Sequence, residues 1–311
     1  MDNKISIVIP IYNEESNIDF LLSELQNLCI ENRLIKFEII FVNDGSKDGT
    51  VEKIIKERGS LNCKIISLSK NYGSHAAIRA GIMHSSYDIV TNVTADLQNP
   101  LEVIPKLFEE IKKGFDLVLG QREKIKYRIL EGPFSKFYAW LMQNFAIPEF
   151  PKSGFDLIMF NKKIKKSLNN NIESNSSVFI HALSLGFSHS SVFYNKKERS
   201  YGKSKWTIGK KLKLVIDSFV SFSYFPIRLV SIMGIIFFFI GIIWTGHIIF
   251  RKLYFNDLDA GWPALVSILM IGFGITNIGI GIVAEYLWRT LDASRKRPVF
   301  IIDDIMELNK E

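Results

Sequence analysis

The sequence contains few cysteines and lacks the common glycine-rich phosphate-binding motifs. Only Cys29 and Cys63 occur among 311 residues. Each lies in an apolar run, so we expect buried thiols in a reducing compartment and not a disulfide framework. Neither G-x-G-x-x-G nor the full P-loop pattern G-x-x-x-x-G-K-[ST] is present, which excludes the dinucleotide fingerprint and the P-loop. The N-terminal apolar run, residues 5–11, is short and soon followed by acidic residues, so no signal peptide is predicted.

Hydrophobic and basic residues are abundant instead. The chain is 47% hydrophobic, contains 24 phenylalanines and carries a formal net charge of +7. Such a composition favours a membrane surface, nucleic acid or phosphate-bearing substrates as the partner. The basic residues lie beside apolar runs, so nucleic acid is the weakest of these interpretations and we predict no nucleic-acid partner.

Two long apolar runs predict two transmembrane helices, at about 227–250 and 263–288. In the first run only Arg228 and His247 are ionisable. Its length as a helix is about 36 Å at ~1.5 Å per residue, enough for a hydrocarbon core of roughly 30 Å. A pair of buried soluble helices is the less favoured alternative. Lysines and arginines before the first run and after the second place the domain that precedes the first run and both termini in the cytoplasm by the positive-inside rule.

Two further helical patterns carry aromatic or aliphatic stripes. One predicts an amphipathic juxtamembrane helix over 207–226, lying in the membrane interface, because Ile208, Leu212, Val215, Phe219 and Phe222 recur at helical spacing. The other stripe consists of Phe134, Phe137, Tyr138, Leu141 and Phe145. The second helix either contacts the membrane or packs on the soluble core, and both alternatives stay open.

The first ~120 residues alternate between strand and helix patterns. Strands are predicted at residues 5–12, 37–43, 64–68, 88–93 and 116–119, with helices at 16–28, 48–56, 75–84 and 101–112. The strands are rich in Ile, Val and Phe, as in a parallel sheet covered on both faces. This order predicts a doubly wound α/β sheet whose ligand lies at the carboxyl ends of the strands.

Polar clusters follow four of these strands, at residues 10–15, 43–50, 94–100 and 120–122. Asp44 and Glu14 can accept hydrogen bonds from a nucleotide base or ribose. Asp96 and Gln98 offer the oxygen ligands that suit Mg²⁺ or Mn²⁺ bound jointly with a diphosphate, and Arg122 can bind phosphate oxygens. Taken singly, each cluster also suits an ordinary turn or helix start.

A basic segment, residues 199–205, precedes the juxtamembrane helix. Arg199, Ser204 and Lys205 supply hydrogen-bond donors for a phosphate, and Gly202 permits close approach of the backbone to a ligand. The alternative is a juxtamembrane run that only contacts anionic lipid.

Together these motifs resemble glycosyltransferase family 2, and within it the polyprenyl-phosphate glycosyltransferases related to dolichol-phosphate mannose synthase. The resemblance covers nearly the whole chain. It rests on residues 8–15 (VIPIYNEE), 42–46 (VNDGS), 68–73 (LSKNYG), 95–100 (ADLQNP), the R-x-x-G-x-S-K motif at 199–205, the two apolar runs and the tail that begins at residue 284. The opening motifs mark only the broad family, whereas their combination with the basic motif and two C-terminal spans is far more specific.

The resemblance implies a GT-A (Rossmann-like) fold and inversion at the anomeric carbon. It implies that the nucleotide-sugar lies against Pro10, Tyr12, Glu14, Asp44 and Thr94, and that Asp96 and Gln98 hold the divalent metal. It further implies that Arg122, Arg199, Ser204 and Lys205 bind the diphosphate or the lipid phosphate. Asp96, Arg122 and Asp156 are the predicted catalytic residues. Homo-oligomers formed through the membrane part are also expected.

Two positions depart from the family pattern. The first member of the usual acidic D-x-D pair is Thr94 here, and a hydroxyl is a much weaker metal ligand than a carboxylate. Asp156, in Gly154-Phe155-Asp156, lies one position later than the acidic residue of many relatives. Asp156 either faces the acceptor or caps the next turn.

The predicted reaction is inverting transfer of a sugar from a nucleotide-sugar, by preference a UDP-sugar, to an undecaprenyl-type polyprenyl phosphate. A phosphate monoester has its second pKa near ~6, so it is largely dianionic at neutral pH and needs no strong general base. That agrees with the absence of an obvious catalytic histidine in the sequence. The alternatives are a glycerolipid or polysaccharide acceptor, or a catalytically silent membrane scaffold.

The predicted domain order is a GT-A domain over 1–206, the juxtamembrane helix over 207–226, two transmembrane helices within 227–288 and a cytoplasmic tail over 289–311. The predicted location is the cell (plasma or inner) membrane, as a multi-pass protein in contact with the lipid bilayer.

Overall fold

A computed structural model divides the protein into two units. The structure describes residues 3–123, 131–171, 177–195, 223, 225–255, 261–295 and 297–308. The first unit comprises Met1–Ser221 together with Pro298–Glu311, and the second comprises Phe222–Arg297. The chain therefore leaves the first unit, forms the second, and returns to the first.

The described residues of the first unit form one sheet of eight strands in the order β7-β5-β6-β4-β1-β2-β3-β8. The strands are β1 (Lys4–Ile11), β2 (Lys36–Asn43), β3 (Cys63–Leu68), β4 (Ile89–Asn92), β5 (Leu117–Arg122), β6 (Leu157–Phe160), β7 (His189–Tyr194) and β8 (Ile302–Leu308). All five strands predicted from the sequence are confirmed, with bounds that differ by at most three residues.

Burial on both faces explains why the central strands are continuous apolar runs. β1 lies between β2 and β4 and is parallel to both. Ile5, Ile7, Val8 and Ile9 are all fully buried although their side chains alternate between the two faces. A strand covered on both faces has no solvent-facing positions to fill with polar residues.

Helices connect and cover the strands. They are α1 (Ile18–Glu31), preceded by a 3-10 turn (Glu15–Asn17), and α2 (Thr50–Glu57), α3 (Ser74–Met83), α4 (Val103–Lys112), α5 (Glu131–Phe145), α6 (Lys162–Asn170) and α7 (Val178–Ser184). The four helices predicted between the first five strands are confirmed. α3 lies close to β1, because a Cβ atom on Gly81 would come within 2.3 Å of Val8 Cγ1.

The sheet is mixed and not wholly parallel as the doubly wound prediction implies. β6 is antiparallel to both of its neighbours, β4 and β5. β8, from the C-terminal tail, is antiparallel to β3. The Rossmann-like α/β arrangement holds for the parallel strands β3-β2-β1-β4, and two antiparallel strands extend it.

Helix α5 packs partly on the soluble core, which is one of the two alternatives left open by its sequence; the membrane contact stays a prediction. Ala139 and Met142 are buried in the described structure. Phe137 and Trp140 are about half exposed, and their rings stack at 5.9 Å. One face of α5 therefore packs on the soluble core, while an aromatic pair remains on its surface.

The second unit contains two long helices, α8 (Phe225–Phe255) and α9 (Trp262–Arg295). Among the described residues, one segment is long and apolar enough to cross a membrane: Ile271–Leu291, with a mean hydropathy of 1.3. Arg228–Trp244 is a shorter apolar helix. Two membrane spans are thus not confirmed and stay a prediction. The predicted interfacial helix over 207–226 falls almost entirely outside the described residues.

Candidate functional site

The polar clusters lie along one edge of the sheet. β1 to β5 and β7 run in one direction, so their carboxyl ends share this edge. β6 runs the other way, and its amino end, preceded by Asp156, joins them. The chain order reverses between β1 and β4, the place where open α/β sheets form a ligand crevice.

The loops after β1 and β2 are joined by short hydrogen bonds. The Asn13 backbone N–H donates to Ser46 Oγ at 3.1 Å, and the Lys47 N–H donates to Asn13 Oδ1 at 2.8 Å. The Glu14 N–H donates to Thr50 Oγ1 at 2.9 Å. Asn13 adopts a left-handed conformation, with φ 51°. This strained residue lies between Tyr12 and Glu14, two of the predicted nucleotide-binding positions.

Asp44 organises the next loop instead of projecting freely into the crevice. Its side chain is almost fully buried. Oδ1 accepts a hydrogen bond from the Tyr72 N–H at 2.6 Å, and Oδ2 accepts one from the Gly73 N–H at 2.9 Å. Burial raises the pKa of the Asp44 carboxyl, and these two N–H groups offset only part of the effect. Asp44 thus ties the loop after β3 to the end of β2.

The remaining predicted nucleotide-binding residues of this part lie at the end of β1. Pro10 and Tyr12 are partly buried there. Glu14 accepts a hydrogen bond from Asn17 Nδ2, which belongs to the 3-10 turn. We call the loops at residues 12–15, 44–50 and 69–73 the donor half of the site.

A second strained turn contains the predicted metal ligands. Leu97 lies between Asp96 and Gln98 and has φ 48°, which is uncommon for a residue other than glycine. Its N–H donates to the Thr94 carbonyl at 3.0 Å, and the Gln98 N–H donates to Asp96 Oδ1 at 3.3 Å. Strained conformations of this kind concentrate at ligand sites.

The donor atoms of this turn fit a divalent cation that is shared with a substrate. Among the described residues, no group of three or more His, Cys, Asp or Glu side chains is placed to hold a metal. Mg²⁺ usually takes one or two protein carboxylates together with substrate phosphates and water, so Asp96 and the Gln98 amide suffice for such a site. Thr94 Oγ1 is buried and has no hydrogen-bond partner, which leaves a polar atom in the place of the usual carboxylate.

Arg122 and Asp156 form an ion pair at the ends of β5 and β6. Arg122 Nη2 and Nε both donate to Asp156 Oδ2, the latter at 3.2 Å. Burial lowers and the Asp156 carboxylate raises the pKa of Arg122, and the net direction is upward. Asp156 does not cap a turn, which was one of the two alternatives. A strand follows Asp156, and its carboxylate pairs with Arg122.

Sequence reasoning missed three residues that hold this ion pair. The Tyr194 hydroxyl donates to Asp156 Oδ1 and lies 3.2 Å from Asn99 Oδ1. Burial and the Asp156 charge raise the pKa of Tyr194, so it stays a neutral donor. Asn92 donates from Nδ2 to the Asp156 carbonyl at 3.3 Å. Asn92 and Asn99 end or follow β4, a signal that was present in the sequence, whereas Tyr194 ends β7, which no pattern predicted. We call Arg122, Asp156, Tyr194 and Asn99 the ionic half of the site.

The predicted phosphate-binding residues Arg199, Ser204 and Lys205 lie outside the described residues. Their placement relative to the two halves stays a prediction.

The sequence matches the model of glycosyl transferase family 2 over residues 6–191. This range contains the donor half and every residue of the ionic half except Tyr194. It ends before the basic motif and the two long helices.

Several proteins align with almost the whole chain. An uncharacterised glycosyltransferase of Bacillus subtilis (strain 168) is 31% identical, over 96% of this chain and 92% of its own length. The prophage bactoprenol glucosyl transferase homolog of Escherichia coli (strain K12) is 32% identical, over 96% and 98%. The undecaprenyl-phosphate 4-deoxy-4-formamido-L-arabinose transferase of Pseudomonas fluorescens (strain Pf0-1) is 31% identical, over 97% and 90%.

Proposed function

Because this chain belongs to glycosyl transferase family 2, we propose that it transfers a sugar from a nucleotide-sugar to a polyprenyl phosphate at the cytoplasmic face of a membrane. The observation that carries the proposal is the near full-length similarity to two transferases whose names share a polyprenyl-type acceptor. The match extends past the family domain, over the basic motif and both long helices, which are the parts suited to a lipid acceptor.

The donor half would bind the nucleoside diphosphate part of the donor, for which we propose a UDP-sugar. The loop carrying Tyr12 and Glu14 is already fixed to the loop after β2 by backbone N–H groups that donate to the side chains of Ser46 and Thr50. Asp44 holds the loop after β3 in the same way. A site ordered before binding loses little conformational entropy when the nucleotide enters.

Asp96 and Gln98 would hold Mg²⁺ or Mn²⁺ against the diphosphate. When bound, the ion offsets negative charge on the departing nucleoside diphosphate. The hydrogen bond from the Gln98 N–H orients the Asp96 carboxylate before any ligand arrives. Thr94 would contribute a hydroxyl to the donor and not a metal bond.

In the reaction, an oxygen of the acceptor phosphate attacks the anomeric carbon as the bond to the diphosphate breaks. The sugar is transferred with inversion, and the nucleoside diphosphate leaves with the bonding electron pair. Arg122 would stabilise negative charge on the phosphates, in the orientation set by Asp156 and Tyr194. Arg199, Ser204 and Lys205 would bind the acceptor phosphate.

The arrangement of the chain supports a helical hairpin as the membrane anchor. The segments before α8 and after α9 both belong to the first unit. A single folded unit lies on one side of a membrane, so the intervening helices would cross an even number of times. We therefore propose two crossings, with both termini in the cytoplasm, and homo-oligomers formed through this part.

The test is direct detection of product. Purified protein is incubated with undecaprenyl phosphate, Mg²⁺ or Mn²⁺ and a panel of UDP- and GDP-sugars, and the lipid fraction is analysed by mass spectrometry. We expect a sugar-phospholipid with one donor, and its loss in Asp96→Asn and in Arg199→Ala. Lys163→Ala, an exposed lysine of α6 away from the site edge, serves as the matched control.

A folded protein that forms no product from any donor would refute the polyprenyl phosphate acceptor. Wild-type rates in both site variants would refute the assigned roles while leaving the reaction in place.

A further inference from the structure

We propose that the C-terminal strand β8 positions the donor half of the site, so that binding of a nucleoside diphosphate requires the tail that follows the membrane helices. Pairing with β3 would fix the loop at residues 69–73, and that loop holds Asp44. The inference rests on the proposed function, because it takes the Asp44 loop to contact the donor nucleotide.

The pairing runs the full length of β3 and continues into the loop. β8 is antiparallel to β3, from Cys63 opposite Leu308 to Leu68 opposite Ile302, with an irregularity at Ser67 and Leu68. Beyond the strand, the Ser69 N–H donates to the Ile301 carbonyl at 3.0 Å. The first residue of the loop is therefore held by the tail.

Side-chain contacts hold the far end of β8. Arg58 Nη1 donates to the Leu308 carbonyl at 3.2 Å, and Lys64 Nζ lies 3.2 Å from Glu307 Oε1. Met306 and Leu308 pack against the hydrophobic core. The strand is thus attached to the first unit at its end as well as through the ladder.

The position of the loop at residues 69–73 determines the contacts of the Asp44 carboxylate. Tyr72 and Gly73 supply the two N–H groups that hold the Asp44 carboxylate. On the other side of the turn, a Cβ atom on Gly45 would lie only 2.8 Å from the Lys70 carbonyl carbon. A shift of this loop by a few tenths of an ångström would change the Asp44 contacts, because the two backbones approach so closely that one added carbon atom on Gly45 would clash.

Without β8, β3 would be the edge of the sheet. Edge strands and the loops that follow them open locally with low free energy, because their hydrogen bonds face solvent. A loop that must be ordered on binding lowers the affinity by the free energy of ordering. The tail therefore supplies preorganisation that the first ~200 residues lack by themselves.

The first experiment compares two double variants of the full-length protein. Asp304→Pro/Ile305→Pro removes two consecutive backbone N–H groups, one of which faces β3, since successive N–H groups of a strand point in opposite directions. Asp304→Ala/Ile305→Ala removes the same exposed side chains but keeps both N–H groups. UDP and GDP are titrated in the presence of Mn²⁺, and hydrogen exchange is measured over residues 63–73.

We expect the proline variant to exchange faster over residues 63–73 and to bind the nucleotide about tenfold more weakly, or about 1.4 kcal/mol. The alanine variant should bind within about twofold of wild type. Faster exchange with unchanged affinity would overturn the proposal. Unchanged exchange in the proline variant would overturn the pairing on which it depends.

A second measurement needs no variant and applies even if the proline variant does not fold. Coupling between two sites is reciprocal, so a nucleotide that needs β8 in place must in turn stabilise β8. Saturating nucleotide should slow exchange in Ile302–Leu308 by about tenfold, and in Lys162–Asn170 of α6 much less. Equal exchange in β8 with and without bound nucleotide would refute the inference. A wild-type protein that binds neither nucleotide would instead refute the proposed function.

Discussion

Replacing Gly45 by alanine adds only one carbon atom, but we expect it to disturb the backbone of the donor half. Gly45 follows Asp44 and has φ +72°, in the left-handed region. The new Cβ atom would lie 2.8 Å from the Lys70 carbonyl carbon and 2.9 Å from the Asn71 nitrogen. Both are backbone atoms, so no side-chain rotation relieves the contact and the loop at residues 69–73 must move.

Gly186 provides a matched control for the conformational part of this effect. Its φ is +71°, and a Cβ atom there would meet nothing within 4 Å. In both variants the left-handed conformation costs about 1–2 kcal/mol. Only Gly45→Ala also creates the steric clash with the backbone at residues 70–71, and a clash of this kind typically destabilises a protein by a further ~1–3 kcal/mol. Displacement of Tyr72 and Gly73 would then weaken the hydrogen bonds to Asp44.

We therefore expect both variants to lose thermal stability, and Gly45→Ala alone to lose nucleotide affinity, by about 10- to 100-fold. Thermal unfolding of the detergent-purified protein gives the first quantity, and calorimetric titration with UDP and GDP in Mn²⁺ gives the second. Equal affinities in Gly45→Ala, Gly186→Ala and wild type would refute the argument that backbone contact across this turn shapes the donor site.

Three further predictions concern hydrogen bonds and buried titratable groups. Tyr194→Phe removes a donor to the Asp156 carboxylate, and a charge-assisted hydrogen bond of this kind contributes about 1.5–3 kcal/mol. We therefore expect kcat to fall roughly 10- to 100-fold, with little change in the KM for the nucleotide-sugar. A change in KM alone would contradict this prediction. Burial lowers the pKa of His75 to about 4. As the pH drops from ~6.5 to ~4, the unfolded chain therefore binds a proton that the folded protein does not, and the free energy of unfolding should fall by up to roughly 3 kcal/mol. His75→Phe should flatten that part of the stability curve. Burial raises the pKa of Glu38, but hydrogen bonds from Ser6 and Ser86 bring it below its ordinary value. The stabilisation from the Glu38 carboxylate is therefore present above ~4.5 and is lost as the pH falls through the lower pKa of the folded state. Glu38→Gln should be destabilised at neutral pH, and its difference from wild type should shrink as the pH falls below ~4.5; parallel stability curves would contradict this.

Much of the first half of the fold was predictable because it is local. Each of the first five strands is an apolar run of the length that a covered parallel strand needs, and each helix between them is amphipathic. Asp44 follows β2 directly and Asp96 lies in the loop that follows β4, so the topology alone brings them to one edge of the sheet. Their positions could therefore be derived from the sequence without any knowledge of side-chain contacts.

The later strands were not predictable because tertiary pairing determines them. β7 has the sequence His-Ser-Ser-Val-Phe-Tyr, which alternates poorly, and it forms because β5 offers it a parallel edge. β8 contains three acidic residues within Ile302–Leu308 and pairs with a strand more than 230 residues earlier. Missing β7 meant missing Tyr194, and with it the reason that Asp156 and Arg122 are held together.

The two halves of the site are built from different kinds of contact, and this decides which changes they tolerate. The donor half is fixed mainly by backbone N–H groups that donate to short side chains, as at Asp44 and Thr50. Substitutions that alter the backbone, to or from glycine and proline, should therefore affect it most. The ionic half is fixed by charged side chains, so loss of a single charge leaves its partner partly buried and unpaired, which is the more damaging change. Arg122→Gln and Asp156→Asn should each lower the free energy of unfolding when made in the wild-type protein. Either substitution should lower it less when the partner is already replaced, because the second substitution removes the charge that the first leaves behind.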